Sequence, residues 1–152
     1  MKYSFIGLGN MASAIIAGMA ASGKFKNDNI YGYNRSEGKT NTLRDRHGLI
    51  PCASALEAVE KAEVVVLCVK PQVMPKLLDE IAGAITKDKL VITIAAGKSC
   101  DWYEAKLGKG VPVVRVMPNI NAKVKASVTA ICGGKNAKDE HIKIADGIFS
   151  TV

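Results

Sequence analysis

The feature that most constrains this chain is a glycine-bearing turn between an apolar run and a run of small residues. Tyr3–Leu8 predicts a strand and Met11–Ser22 predicts a helix. In a dinucleotide site of this kind, Gly7 makes the tight turn, Gly9 lets the pyrophosphate approach the backbone, and Ala12 lets the helix pack closely on the strand. The pattern therefore predicts a pyrophosphate at the helix N-terminus, where free N–H groups favour an anion. A merely tight turn is the alternative.

Apolar runs and helical patterns alternate along the rest of the chain. The run "VVVLCV" is apolar throughout, as a strand covered on both faces must be. This alternation predicts a Rossmann-type, doubly wound α/β domain over residues 1–152, with a mainly parallel sheet and helices on both faces. We predict further strands at Ile30–Tyr33, Leu49–Pro51, Val64–Val69, Leu90–Ala95, Val113–Met117 and Val128–Cys132. We predict further helices at Ser36–Arg46, Leu56–Ala62, Met74–Ile85, Cys100–Leu107 and Asp139–Ser150.

Composition limits the classes of function. Apolar residues make up 48% of the chain and charged residues 23%, which is an ordinary globular balance. The sequence contains neither a long apolar stretch nor a signal peptide, so we expect a cytoplasmic protein without a membrane partner. The net charge is +7, but the lysines are scattered and aromatic residues are few. This pattern favours a solvated surface over a nucleic-acid partner, and it also suits a small anionic ligand.

The cysteines predict neither disulfides nor a metal site. They are Cys52, Cys68, Cys100 and Cys132. None forms a C-x-x-C pair, all stand in apolar or small-residue surroundings, and the two histidines lack zinc-ligand spacing to them. We interpret all four as reduced thiols in a cytosolic protein.

The end of the second predicted strand indicates which cofactor the site takes. An NAD site usually ends this strand with a carboxylate that holds the ribose 2′-hydroxyl. Here Asn34, Arg35 and Ser36 follow the strand instead. A guanidinium and a hydroxyl suit a 2′-phosphate, so NADP is the predicted cofactor. Glu37 lies close in sequence and keeps NAD possible, and Ser36 is also a candidate N-cap for the next helix.

Three further segments end predicted strands at the edge where open α/β sheets bind ligands. They are "CVKPQ" at 68–72, "IAAGKS" at 94–99 and "RVMPN" at 115–119. Each segment alone is consistent with an ordinary strand-to-helix connection. Together with the glycine turn they predict one ligand-binding edge.

Five segments, in order, carry a resemblance over essentially the whole chain: "IGLGNMASAIIAGMAASG", "NRS", "VVVLCVKPQ", "VITIAAGKS" and "VVRVMPN". They resemble the N-terminal domain of pyrroline-5-carboxylate reductase. "IGLGNM" alone also resembles the β-hydroxyacid dehydrogenases, but the later segments favour the reductase. The resemblance implies NAD(P)H-dependent reduction of the imine 1-pyrroline-5-carboxylate to proline, the last step of proline biosynthesis, by a homo-oligomeric full-length enzyme.

The resemblance also implies the residues that contact the cofactor. Those of the pyrophosphate turn are Ile6, Gly7, Leu8, Gly9, Asn10, Met11 and Ala12. Those near the adenosine ribose are Asn34, Arg35 and Ser36, and those towards the nicotinamide are Val69, Lys70, Pro71, Ala95 and Ala96. Met117, Pro118 and Asn119 border the substrate edge, and Asn119 is also expected to contact the cofactor.

The chain departs from the family pattern at several positions. Ile120 and Asn121 stand where the family usually has Thr-Pro, and Lys125 and Ser127 replace expected glycines. Ala55 stands where a polar Asn usually lies near the adenosine. These departures affect the expected substrate geometry and adenosine contacts, not the fold.

Members of the family continue into a helical C-terminal domain that joins two subunits and supplies the substrate site. We expect that domain to be absent from this chain, and the chain alone to be inactive. We predict no catalytic residue, and His141 lies on a predicted surface helix. Two other functions stay open: a stand-alone NADP(H)-binding module without turnover, and the cofactor domain of a β-hydroxyacid-type dehydrogenase.

Overall fold

A computed structural model describes residues 1–108, 110–118 and 129–152. The strands are β1 (Tyr3–Ile6), β2 (Ile30–Tyr33), β3 (Ile50–Pro51), β4 (Val64–Leu67), β5 (Leu90–Thr93), β6 (Val113–Met117) and β7 (Ala130–Gly133). The helices are α1 (Asn10–Ser22), α2 (Glu37–His47), α3 (Ala55–Lys61), α4 (Met74–Ile81), α5 (Cys100–Leu107) and α6 (Asp139–Phe149). Short 3₁₀ turns cover Asn27–Asn29 and Ala82–Ala84.

The strands form one sheet in the order β3-β2-β1-β4-β5-β6-β7. Strands β1 to β6 are parallel, and β7 runs antiparallel to β6. This order confirms the predicted Rossmann-type class. Because the order reverses between β1 and β4, the crevice for a ligand lies at the carboxyl ends of these two strands. There Ile6 pairs with Tyr33 on one side and with Leu67 on the other.

The sheet is covered on both faces, as the apolar strands require. Side chains alternate along each strand, so Phe5 and Ile6 enter different hydrophobic clusters. One cluster joins the sheet to α1, α2 and α6. The other joins it to α3, α4 and α5. Strand β4 contributes to both clusters and is buried along its whole length, which explains its unbroken apolar sequence.

Three predicted strands extend too far along the sequence. The predictions ran to Leu8, Val69 and Ala95, whereas the hydrogen-bonded ladders end at Ile6, Leu67 and Thr93. Leu8 is fully buried although it lies in a turn. The apolar pattern reports burial, and burial continues beyond the last ladder hydrogen bond, so the pattern alone places these ends too late.

The remaining boundary differences are small. Helix α4 ends at Ile81 and a 3₁₀ turn follows it, whereas the prediction ran to Ile85. Strand β7 covers Ala130–Gly133, so it ends one residue beyond the predicted Cys132; the predicted start, Val128, lies outside the described residues. The bounds of β2, α5 and β6 match the prediction. One-residue differences, at one or both ends, occur in β3, α1, α2, α3 and α6.

Alanine substitutions at two helical glycines should change the stability of the protein in opposite directions. A Cβ at Gly18 in α1 would lie 2.6 Å from the Thr151 carbonyl oxygen, whereas a Cβ at Gly147 in α6 would meet nothing within 4 Å. Replacing a helical glycine by alanine ordinarily stabilises by about 0.5–1 kcal/mol. We therefore expect Gly147→Ala to raise the free energy of unfolding by that amount. Gly18→Ala should lower it by about 1–3 kcal/mol, since backbone must move.

Urea denaturation of both variants measures the difference. Stabilisation by Gly18→Ala would contradict the close contact between α1 and the residues after α6.

Candidate functional site

The turn after β1 is held tightly between the ends of β2 and β4. Gly7 has a φ of +91°, which favours glycine, and a Cβ there would lie 2.9 Å from both the Val69 backbone nitrogen and Cγ1. The Gly7 N–H donates to the Tyr33 carbonyl oxygen at 2.9 Å. Gly7 is therefore required both by its conformation and by the close approach of the loop after β4.

Gly9, unlike Gly7, has open space around it. It occupies the N-cap position of α1, and a Cβ there would meet nothing within 4 Å. Within the described residues no side chain caps α1, and its first turn carries no acidic residue. Ala12, one turn into the helix, is buried against the sheet. The helix thus presents an uncompensated positive end beside an open space.

Asn34 ties the glycine turn to the end of β2. Its side-chain oxygen accepts a hydrogen bond from the Leu8 N–H at 2.9 Å, and its side-chain nitrogen donates to the Ser36 carbonyl oxygen at 3.0 Å. The amide is therefore engaged within the protein. Asn34 was predicted as a ribose contact, but the structure adds a positioning role that the sequence pattern did not reveal.

Arg35 and Ser36 lie exposed beside this turn. Ser36 occupies the N-cap position of α2, as expected, but its hydroxyl makes no capping hydrogen bond. Arg35 forms no ion pair within the described part of the chain. Both polar groups are accordingly available to a ligand, although Glu37 is also exposed in the first turn of α2.

Two clefts border these residues. One, of about 450 Å³, lies at the carboxyl ends of β2 and β3 and includes Tyr33, Arg35 and Cys52. Burial, with a smaller contribution from Glu57, raises the pKa of the Cys52 thiol to about 11, so the thiol is neutral near pH 7. The second, of about 950 Å³, is a groove between α1 and α2 that brings Lys39 beside Ser36.

Sequence reasoning missed Lys39. Its position three residues after Ser36, in the first turn of the predicted helix, was the available signal. Ala55, whose identity departs from the family pattern, is buried at the start of α3.

The loop after β4 lies on the other side of the glycine turn. Val69 is half-buried against Gly7, Lys70 is exposed and Pro71 is half-buried. The Val73 N–H donates to the Lys70 carbonyl oxygen at 3.0 Å, which closes the loop before α4. The structure thus places these predicted residues at the same edge as the glycine turn.

A buried polar contact supports the loop after β5. The Thr93 and Tyr103 hydroxyls are 2.9 Å apart, and the Ala95 N–H donates to the Thr93 hydroxyl oxygen at 3.3 Å. Burial raises the pKa of Tyr103, so the phenol stays protonated near pH 7. Ala95 is buried and Ala96 is exposed. The contact between α5 and β5 therefore positions the small residues that were predicted to face the nicotinamide.

The end of β6 completes the described edge. Met117 is 49% exposed, which is unusual for a large apolar side chain, and Pro118 is half-buried. Asn119, Ile120, Asn121, Lys125 and Ser127 lie outside the described residues. His141 is not at this edge: its Nδ1 accepts a hydrogen bond from the Lys138 N–H at 2.8 Å, which caps α6. It lines a separate cleft with Lys87 and Asp88, which precede β5.

Two other features, a metal site and a membrane-spanning helix, are absent from the described residues. Across residues 1–108, 110–118 and 129–152, no group of three or more potential metal-ligating side chains occurs. The helices of the described chain are too short or too polar to cross a membrane. All four cysteines are free thiols.

A family model described as "NADP oxidoreductase coenzyme F420-dependent" matches residues 2–97, which is more than half of the chain. The chain belongs to this family. The matched residues of this family member run from β1 through β5 and include the glycine turn, the end of β2 and the loops after β4 and β5.

Individual relatives agree with the resemblance drawn from the sequence motifs and confirm it. The pyrroline-5-carboxylate reductase of Escherichia coli is 39% identical over 130 residues, which are 86% of this chain and 48% of the relative. The solved pyrroline-5-carboxylate reductase of Coxiella burnetii has a TM-score of 0.94 and 31% identity, over 99% of this chain and 56% of its own.

The Plasmodium falciparum pyrroline carboxylate reductase with NADP bound has a TM-score of 0.86 and 28% identity, over 99% of this chain and 55% of its own. The chain spans about half the length of the curated relatives it matches.

The role of Asn34 is testable by substitution. Asn34→Ala should lower the free energy of unfolding by about 1–3 kcal/mol, because the part-buried Leu8 N–H loses its acceptor. Hydrogen exchange should show faster exchange at the Leu8 amide in this variant. The control is Asn41→Ala, which removes the same type of side chain from an exposed position in α2. Equal Leu8 protection in both variants would contradict the positioning role.

Proposed function

We propose that this chain binds NADP(H) along the carboxyl edge of its sheet and forms the cofactor domain of a pyrroline-5-carboxylate reductase. The observation that carries this proposal is the uncapped, acid-free N-terminus of α1 beside the open space at Gly9. The NADP-bound relative and the reductase relatives support the choice of cofactor and reaction. The whole enzyme would reduce the imine 1-pyrroline-5-carboxylate to proline.

Helix α1 differs from α3 and α5 in how its N-terminus is satisfied. In α3 the Ser54 hydroxyl accepts from the Glu57 N–H, and in α5 the Ser99 hydroxyl accepts from the Trp102 N–H. Both helices also carry an acidic residue in the first turn. Helix α1 lacks both features within the described chain. Helix α4 lacks them too, but its first N–H groups donate to the loop that precedes it. A pyrophosphate is the group whose charge and oxygen acceptors suit such a terminus.

The proposed 2′-phosphate site consists of Arg35 and Ser36, with Lys39 nearby. Their charged and hydroxyl groups have no internal use in the described structure, so a bound phosphate would supply their partner. Charge-assisted hydrogen bonds from a guanidinium are strong and geometrically selective. These residues therefore support NADP over NAD.

The nicotinamide would lie along Ala95 and Ala96, with Val69, Lys70 and Pro71 on its other side. A bound nicotinamide would supply the hydride for the imine carbon. The protein's part is to hold the ring and to exclude water, and the small side chains of the β5 loop leave room for the ring. Asn119 remains a proposed contact at this edge.

We propose further that the substrate pocket of the full-length enzyme is completed by a helical domain, in a homo-oligomer located in the cytoplasm. Such a domain would form a second wall of the pocket. Support for it comes from the exposure of Ala96 and Met117 at the proposed nicotinamide end. The four free thiols are consistent with a reducing compartment.

Gly9→Val tests the pyrophosphate assignment. The new side chain would enter the open space above α1, and NADPH affinity should fall at least tenfold, about 1.4 kcal/mol or more. Fluorescence titration of NADPH into the purified chain measures this loss. The control is Gly147→Ala, which changes an equally open glycine in α6 and should leave affinity unchanged. A folded Gly9→Val variant with unaltered affinity would remove the assignment.

Arg35→Ala tests cofactor selectivity. Loss of the guanidinium should weaken NADPH about tenfold, because the 2′-phosphate loses a charge-assisted donor, while NADH affinity should change less than about twofold. Arg44→Ala is the matched control, since Arg44 is an exposed arginine already paired with Asp45. Equal losses for NADPH and NADH would mean that Arg35 does not read the 2′-phosphate.

Turnover by the 152-residue chain tests the proposed second wall. Hydride transfer requires both reacting carbons to be held at near-attack distance, and an open nicotinamide edge does not hold the imine. When the chain is mixed with NADPH and 1-pyrroline-5-carboxylate, we expect that the absorbance of NADPH does not fall at an ordinary enzyme rate, about 1 s⁻¹. Turnover at that rate would show that these residues already hold a complete active site.

A further inference from the structure

Two cysteines distant in sequence meet where α5 contacts β7. The Cys100 Sγ lies 3.6 Å from the Cys132 carbonyl oxygen, and the Cys132 Sγ lies 3.9 Å from the Gly133 carbonyl oxygen. A Cβ at Gly134 would lie 3.0 Å from the Cys100 Cβ, which shows how closely the start of α5 approaches this strand. Both thiols therefore lie over the same short stretch of β7 backbone.

The strand geometry directs both thiols to one side of the sheet. Ile131 packs into the cluster formed with α1 and α6. Because neighbouring side chains in a strand point to opposite faces, Cys132 points towards α5. Cys100, the first residue of α5, packs against the cluster on that same face. The proximity is thus a consequence of register and helix placement.

The two thiols differ in accessibility. Cys132 is exposed and Cys100 is half-buried. Burial raises the pKa of the Cys100 thiol, and Cys132 and Glu104 raise it further, whereas the Arg115 backbone and guanidinium lower it. Cys132 is accordingly the thiol that a solution reagent reaches first, and the half-buried Cys100 thiol lies beside the Cys132 backbone.

The other two cysteines provide the contrast. Cys52 lies in the cleft beyond β3, and the charged groups that influence its pKa are Glu57 and Lys61 rather than another thiol. Cys68 is placed just beyond β4, and its pKa is raised by burial alone. At Cys100, by contrast, a second thiol, that of Cys132, is one of the groups that raise the pKa.

We propose that Cys100 and Cys132 form a site of reversible thiol–disulfide exchange with a small disulfide of the glutathione class. The Cys132 thiolate attacks one sulfur of the small disulfide, forms a mixed disulfide and releases one thiolate. The Cys100 thiolate then attacks the Cys132 sulfur, forms the intrachain disulfide and releases the second thiolate. The two cysteines are oxidised, one small disulfide is reduced to two thiols, and the two cysteine protons pass through solvent to the departing thiolates.

The intrachain disulfide between Cys100 and Cys132 would hold the start of α5 against β7. The residues before Cys100 form the loop that carries Ala95 and Ala96, so oxidation would fix one end of the proposed nicotinamide loop. Cross-linking residues this far apart also restricts the unfolded chain. We expect the disulfide to raise the melting temperature by about 5–10 °C. The exchange chemistry itself does not depend on the proposed function.

The test treats the reduced chain with excess oxidised glutathione and measures intact mass, then maps peptides without reduction. The expected product is lighter by two hydrogens and contains the tryptic peptide Ser99–Lys106 linked to Ala126–Lys135. Its melting temperature should rise, and dithiothreitol should reverse both changes. Cys100→Ser should instead retain one glutathione on Cys132, because the resolving thiol is missing. The control, Cys52→Ser, should form the same cross-link as the unaltered chain.

Three outcomes would overturn the proposal. They are a chain that carries only mixed disulfides with glutathione, a cross-link through Cys52 or Cys68, and a disulfide-linked dimer without the intrachain bond. A Cys100→Ser variant that lost its glutathione as readily as the unaltered chain would also overturn the assigned roles.

Discussion

The candidate site depends on the close contact between Gly7 and Val69, just beyond the end of β4. The added-Cβ distance of 2.9 Å to the Val69 nitrogen leaves room for no side chain at residue 7. The Gly7 and Leu8 N–H groups donate to Tyr33 and Asn34, so the same turn is also joined to the end of β2. Three strand ends thereby meet at one point. This junction sets where α1 begins and in which direction its free N–H groups point.

Helix N-termini at the carboxyl edge differ in how their N–H groups are satisfied. Ser54 and Ser99 cap α3 and α5, which stabilises these helices internally. Ser36 stands at the equivalent position of α2 without making a capping bond, and α1 begins at a glycine. A serine before a predicted helix looks the same in all three cases. Its rotamer and surroundings decide whether the hydroxyl caps the helix or stays available to a ligand.

Much of the fold could be predicted from the sequence, and so could the sheet edge at which the candidate site residues lie. The strand–helix alternation and the glycine spacing lead to the observed class, and the residues predicted at the turn and at the loops after β2, β4 and β5 lie at one edge. The contributions of Asn34 to the glycine turn and of Tyr103 to the loop after β5 could not be predicted, since each depends on a partner from another element. Strand ends were also misplaced, because Leu8 is buried in a turn and its apolar character cannot reveal the missing ladder hydrogen bond.

The sequence by itself determined the identity of the chemistry-bearing groups: glycines at the turn, a guanidinium and a hydroxyl after β2, and small residues after β5. These follow from local spacing, and local backbone preferences act within a few residues. Only the tertiary structure decided which groups are already satisfied and which cysteines lie beside each other. Asn34 is engaged by Leu8, and Cys100 meets Cys132 across 32 positions of sequence. Such pairings arise from strand register and helix packing, which bring together residues that no local pattern connects.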